Sequence, residues 1–260
     1  MLRVIQNYSN AGRSDGGRAQ YPGEGRSAES GNSPEPRPYR FAAALKSCEC
    51  VDLLAFARQQ SFVEGQPLLR QGDTGSHIVI LRKGQAKVIA GVDSGREVLL
   101  GLRGPGDLLG EMRYLSGQPR SASVVAAGPV AAVVLDFPSF DALLRKHERI
   151  LGEIGRCIAD RLCWADRRRL EFCLPVTVRI ARVLYELGCA TMLAKSGRKR
   201  PEESVGVEIP VTQRELGQLV GAAEVSVQKS LRHLAQRGCV TRHYGRVSIV
   251  HLDVLRAYTE

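Results

Sequence analysis

Glu111 and Arg120 are the two residues of this 260-residue chain whose types and spacing best suit joint chemistry. Eight residues separate them within Gly104–Val124, GPGDLLGEMRYLSGQPRSASV, a stretch rich in glycine and serine. A carboxylate accepts hydrogen bonds from ribose hydroxyls, and a guanidinium presents a planar fork of donors that matches phosphate oxygens. Together they suit a nucleotide. Gly110 lets the backbone come close to a ligand, Met112 continues the same turn, and Ser121 and Ser123 add N–H and hydroxyl donors beside Arg120. A solvated charge pair on a turn is the plainer alternative for the same two residues.

The elements around that stretch change character along the chain. Residues 1–40 are rich in Gly, Ser and Pro and show no apolar period, which predicts a disordered tail. Helix-forming sequence follows from Phe41 to about Gln60. Between Ser61 and Phe137, short β-type runs such as His77–Leu81 and Gln85–Ile89 alternate with closely spaced glycines, predicting an all-β roll or barrel. A short helix is expected over Ser139–Leu144 and a long one from about Glu148 to Phe172. In the long helix Leu151, Ile154, Ile158, Leu162 and Ala165 form a heptad-like stripe suited to pairing with a second helix. Pro175 ends it as a hinge. Val176–Leu187 makes a further amphipathic helix, which Gly188 is expected to stop, and Lys195–Ser204 is a charged exposed loop.

A second motif fills Val211–Leu234, VTQRELGQLVGAAEVSVQKSLRHL. Thr212 with Glu215 three residues on is a capping box, Gly221-Ala222-Ala223 is a small-residue turn, and Val227, Leu231 and Leu234 give a second helix its inward stripe. This is the pattern of a helix-turn-helix. Val240–Val250 reads as a hairpin about Tyr244-Gly245, a wing. Exposed residues able to meet DNA are Thr212 and Gln213 at the first helix and Glu224, Val225, Ser226, Gln228, Lys229 and Arg232 on the second.

The stretch Gly110-Glu111, eight residues, Arg120-Ser121-Ala122 resembles the phosphate-binding cassette of cyclic-nucleotide-binding domains, and Gly65–Asp73 followed by Gly84 and Val88 resembles their β-roll. Roll, long helix and winged helix-turn-helix in that order resemble the Crp/Fnr family of bacterial transcription regulators over about residues 41–257. The resemblance implies an α+β fold: a cyclic-nucleotide-binding β-roll domain over 41–147, a dimerisation helix over 148–174 and a winged helix-turn-helix DNA-binding domain over 175–260. It also implies that Glu111 holds the ribose 2′-hydroxyl and Arg120 the cyclic phosphate, with cAMP or cGMP as allosteric effector. Its implied partners are double-stranded DNA, a second copy of the chain and RNA polymerase.

Two departures stand out. Glu224, Val225 and Lys229 differ from the base-reading residues of the family's cAMP-responsive prototype, so the operator is expected to differ. Counting back from Val176-Thr177-x-Arg179-Ile180-Ala181, the pair that receives the adenine amino group falls on Trp164 and Ala165. Trp164 can stack on a purine or fill the dimer interface.

Composition bounds the remaining classes. Forty-three per cent hydrophobic and 25% charged residues are ordinary for a globular protein, and the net charge of +10 favours a polyanionic partner. The sequence shows no apolar run long enough to span a bilayer and no secretory leader, so a cytoplasmic location without membrane contact is expected. Seven cysteines are scattered, Cys48-Glu49-Cys50 lacks cluster spacing, and no metal is expected. Five dispersed histidines and the absence of a P-loop, H-E-x-x-H or G-x-S-x-G motif argue against an enzyme. The alternatives left open are an effector-independent or redox-responsive DNA-binding regulator, and a nucleotide-binding regulatory subunit acting on a partner protein.

Overall fold

The structure, a computed structural model, describes residues 40–92, 95–196 and 206–259. The expected tail up to residue 39 and most of the loop Lys195–Ser204 lie outside the described residues. Two short helices, α1 (Phe41–Ala44) and α2 (Ser47–Phe56), lead into eight strands: β1 (Arg58–Phe62), β2 (Pro67–Leu69), β3 (His77–Lys83), β4 (Ala86–Gly91), β5 (Glu97–Arg103), β6 (Leu108–Leu109), β7 (Ser123–Ala126) and β8 (Val130–Asp136). They form two antiparallel sheets of order β1-β8-β3-β6 and β2-β7-β4-β5. The helical reading of Phe41–Gln60 is thus corrected at its end: Ala57 turns extended and Arg58–Phe62 pairs with β8, because Phe62 alternates into the roll.

Residue alternation explains the layering. Val79 and Leu81 of β3 and Val130, Ala132 and Val134 of β8 point between the sheets, where they meet Leu68, Leu69, Ala86, Leu109, Val124 and Ala126. Ile78, Ile80, Val133 and Leu135 point the other way, against Phe41, Leu53, Phe140, Leu143, Ile150 and Ile154 of the helices. A strand buried on both faces reads as a continuous apolar run, and His77-Ile78-Val79-Ile80-Leu81 does.

Helix α3 (Glu111–Ser116) sits between β6 and β7. Helix α4 (Phe137–Lys146) is capped by Asp136, whose carboxylate accepts from the Ser139 N–H at 2.8 Å. The long helix α5 (Arg149–Leu170) then crosses the roll and ends in a 3-10 turn, Glu171–Cys173. Its predicted stripe divides. Ile154 lies fully buried with Ile150 and Cys157 against the helical layer, whereas Leu151 and Leu162 are 52% and 60% exposed on the adjacent face.

The C-terminal unit comprises α6 (Val176–Ser196), β9 (Val207–Ile209), α7 (Gln213–Val220), α8 (Glu224–Gln236), the hairpin β10 (Val240–His243) and β11 (Arg246–Ile249), and α9 (Leu252–Arg256). Strands β10-β11-β9 form its antiparallel sheet. Gly188 does not stop α6 as expected; the helix runs eight residues further. A Cβ there would lie 2.8 Å from Ile249 Cδ1 and 2.9 Å from Leu252 Cδ1, so this glycine lets the winged sheet and α9 close onto the helix.

Candidate nucleotide site and DNA-reading head

Gly110 adopts φ +88° at the N-cap of α3, a left-handed conformation that favours glycine. A Cβ on it would lie 2.3 Å from Arg120 Nη1, so the absence of a side chain makes room for the guanidinium. Arg120 is 4% exposed. It donates from Nη1 to Gly110 O at 2.8 Å and from Nη2 to Gly75 O at 3.0 Å and to His77 O. Its backbone pairs with the same loop, Arg120 N to Asp73 O at 3.0 Å and Gly72 N to Arg120 O at 2.9 Å. Burial, followed by the nearby Arg113, lowers its pKa below the ordinary arginine value, with Glu111 and Asp73 partly offsetting.

Arg113, which sequence reasoning passed over, staples the cassette by donating to Gly75 O at 3.1 Å, Thr74 O at 2.8 Å and Gln118 O at 3.0 Å. Tyr114 anchors α3 on α4 through its hydroxyl on Asp141 and edge-on packing against Phe137 and Phe140, with centroids 5.1 and 5.0 Å away. Burial and Asp141 push the Tyr114 phenol up to about 12.

Glu111 is 3% exposed, and its partner is Arg161 of α5: Nη1 lies 2.5 Å from Oε1, while Nη2 donates to Leu108 O at 2.6 Å. The cassette is therefore tied to the long helix by a largely buried ion pair. Arg161 was missed in the sequence, yet a signal existed: Ile150, Ile154, Cys157 and Arg161 fall at helical spacing on one face.

Met112 is 47% exposed and Ser121 is exposed. Trp164 is half-buried, and its indole N–H goes to Glu186 Oε2 of α6 at 2.8 Å rather than to the cassette. Arg168 lies over its ring at 5.4 Å, between Glu171 at 3.0 Å and Glu186 at 2.9 Å. Burial raises the Glu186 carboxyl above its ordinary value despite that company.

In the head, Thr212 caps α7 reciprocally with Glu215: Glu215 N to Thr212 Oγ1 is 3.1 Å and Thr212 N to Glu215 Oε2 is 2.7 Å. Gly221 ends that helix at φ +62°. A Cβ on Gly217 would lie 2.6 Å from Ala222 O, so α7 and its following turn pack closely because this residue has no side chain. Val227, Leu231 and Leu234 turn inward, and Glu224, Val225, Gln228, Lys229 and Arg232 stay exposed with Ser226 half-buried. Thr212 is exposed and Gln213 half-buried at the start of α7, and Arg242 and Tyr244 are exposed on the wing. Cations and amides on an exposed helix beside a basic hairpin can contact phosphates and base edges.

Head and roll touch directly. Lys87 Nζ lies 2.7 Å from Glu215 Oε1, and the Gln218 side chain both accepts from Leu99 N at 2.8 Å and donates to Glu97 O at 2.9 Å. Gln218 thereby satisfies the free edge of β5, as a neighbouring strand would. Leu99 joins the core of the head.

A cyclic-nucleotide-type roll joined through a long helix to a winged helix-turn-helix defines a DNA-binding transcription regulator. Residues 59–147 match the model of the cyclic nucleotide-binding domain, and residues 178–258 that of the Crp-like helix-turn-helix domain. The chain is 30% identical over 203 residues to the cyclic AMP receptor protein of Thermus thermophilus, covering 77% of this chain and 88% of that one. It is also 30% identical over 194 residues to the cAMP-activated global transcriptional regulator Vfr of Pseudomonas aeruginosa, covering 72% and 87%. The c-di-GMP-responsive regulator CLP of Xanthomonas campestris shares the fold, with a TM-score of 0.62 at 23% identity over 79% of this chain and 100% of that chain. The chain belongs to the Crp/Fnr family of bacterial transcription regulators. Among the described residues no helix is long and apolar enough to cross a membrane, and no group of three or more His, Cys, Asp or Glu is placed to hold a metal ion.

Proposed function

We propose that this regulator works as a homodimer gated by a cyclic nucleotide, with Glu111 receiving a ribose hydroxyl and Arg120 the cyclic phosphate. The observation that carries the reading is the Glu111–Arg161 pair, which makes a ligand-type carboxylate part of the helix that leads to the head. A ribose hydroxyl donating to Glu111 competes with Arg161 for the same carboxylate, so occupancy changes what holds α5 to the cassette. A ligand shifts an equilibrium only by its difference in affinity for the two states, and this contact supplies such a difference. A phosphate at Arg120 likewise replaces neutral carbonyl acceptors with an anionic one, which forms the stronger hydrogen bonds.

The exposed side of α5, with Leu151 and Leu162, supports pairing with the same helix of a second copy. Two α8 helices related by a two-fold axis would enter successive major grooves about 34 Å apart and read a near-palindrome. Lys229 suits guanine or phosphate, Glu224 suits cytosine N4, and Val225 suits a thymine methyl. RNA polymerase is the partner expected of a regulator bound upstream of a promoter.

The test is titration calorimetry of the full chain with cAMP and cGMP beside Arg120→Ala, followed by operator selection with and without the nucleotide that binds. Binding lost in the variant and a ligand-dependent palindromic operator are expected. Absence of heat with either nucleotide, or binding indifferent to Arg120, would overturn the assignment.

A further inference from the structure

Arg103 ends β5, where it pairs with the buried Ala86 of β4; a bulge at Leu100 breaks the strand's alternation, so Arg103 shares its side with Gly101 and turns away from Leu99, which faces the head. Its guanidinium folds back over Gly101, where a Cβ would lie 3.1 Å from Arg103 Nη1. Nη1 donates to Leu102 O, its own neighbour, at 2.9 Å, and Nε is enclosed without a hydrogen-bond partner. Among the described residues it has no ion pair. The two carboxylates whose charge it feels are already engaged: Asp107 with the Gly104 N–H at 2.7 Å and Arg40 at 3.3 Å, and Glu111 with Arg161. Three guanidiniums, of Arg40, Arg103 and Arg161, thus face two carboxylates.

A half-buried cation with an enclosed, unused Nε donor beside a like charge is costly to keep, and burial followed by Arg161 pushes Arg103 down to about 10. A structural role is poorly served by it, because leucine would fill the same side of β5 without charge. An anion resolves both the orphaned donor and the excess charge, and phosphate matches the guanidinium fork. The position also distinguishes this group from Arg120. Arg103 lies on the side of Arg161 and Glu111, the ribose end of the proposed site, so the anion it takes is a second one.

We infer that Arg103, with Arg161, forms a second phosphate subsite, and that the effector is a nucleotide carrying two phosphate groups, one held at Arg120 and the other at Arg103. This rests on the nucleotide reading of the cassette and deepens it. Two sources share the chemistry: a cyclic dinucleotide, whose phosphodiesters are set apart by two riboses, and a nucleoside bisphosphate.

The test uses the full-length protein and equilibrium dialysis against cAMP, cGMP, cyclic di-AMP, cyclic di-GMP and adenosine 3′,5′-bisphosphate, with Arg103→Leu and Arg120→Ala alongside. A two-phosphate ligand is expected to bind at least about tenfold tighter than cAMP or cGMP, and Arg103→Leu removes that advantage while leaving mononucleotide binding within about twofold. Preference for the dinucleotides or for the bisphosphate identifies the source. The ranking of ligands on the unmodified protein stands as a test even where a variant fails to fold. If cAMP or cGMP binds through Arg120 as tightly as any two-phosphate ligand, this inference fails and the cassette reading survives. If no nucleotide binds, both fall.

Discussion

Replacing Arg161 by methionine keeps the stem of the side chain in place and removes the guanidinium, leaving the Glu111 carboxylate without its cation. Glu111's side chain is 4% exposed and Arg161's 25%, so the carboxylate is sealed while water reaches one flank of its partner. Breaking a buried pair from one side costs about 3–5 kcal/mol, and the partial exposure of Arg161 places this one near about 3 kcal/mol. About 1 kcal/mol of that is the Leu108 carbonyl, which loses its 2.6 Å bond from Nη2. The double variant Glu111→Gln, Arg161→Met removes the stranded charge but not the stranded carbonyl, so it should recover about 2 kcal/mol of the loss. Urea unfolding at neutral pH, followed by circular dichroism and by the fluorescence of Trp164, the single tryptophan, reads both numbers from the midpoints. A cost below about 1 kcal/mol for Arg161→Met, or no recovery in the double variant, would mean that the pair behaves as a solvent-screened surface bridge. The cassette would then not be coupled to α5 through this pair.

Two further predictions concern the head and the first helices. Gln218→Ala combined with Lys87→Ala removes two hydrogen bonds and a half-buried ion pair between head and roll, about 1 kcal/mol for each side chain. The ratio of operator affinities with and without effector should fall about five- to tenfold by fluorescence anisotropy, and an unchanged ratio would show that this contact does not transmit the signal. Glu49 is buried, which works to raise its carboxyl, but Arg149 and the Lys46 N–H outweigh burial and hold it below its ordinary value of 4.5. Its contribution is therefore full above about pH 5 and is lost as the pH falls through the lowered value. Urea midpoints measured from about pH 7 to about pH 3 should drop less steeply for Glu49→Gln than for the parent, and parallel curves would remove Glu49 from the acid sensitivity.

The parts legible in the sequence were those whose physics is local. The capping box of Thr212 and Glu215, the small-residue turn at Gly221-Ala222-Ala223 and the Tyr244-Gly245 hairpin each depend on residues a few positions apart, and spacing alone places them. Gly188 misled because its signal, a glycine after an amphipathic run, is the same for a helix end as for a helix packed tightly. Only the closeness of Ile249 and Leu252, some sixty residues on, decides between them. The stripe on α5 divides in a way that one sequence period does not reveal, with Ile154 buried in the helical layer and Leu151 and Leu162 exposed.

The site shows the same division and gives it a functional meaning. Glu111 and Arg120 share a cassette and could be read together, but what each of them holds comes from elsewhere: Arg161 lies fifty residues after Glu111, and the carbonyls of Gly75 and His77 more than forty before Arg120. A cassette closed entirely on its own segment could bind a ligand without informing the rest of the molecule. Here the carboxylate's partner is on the helix whose far end meets α6, where Arg168 and Trp164 meet Glu186, and the roll's edge strand is itself held by Gln218 of the head. Long-range partners at each of these points join the cassette to the head, which is what the proposed gating requires, and for the same reason they cannot be found by reading spacing.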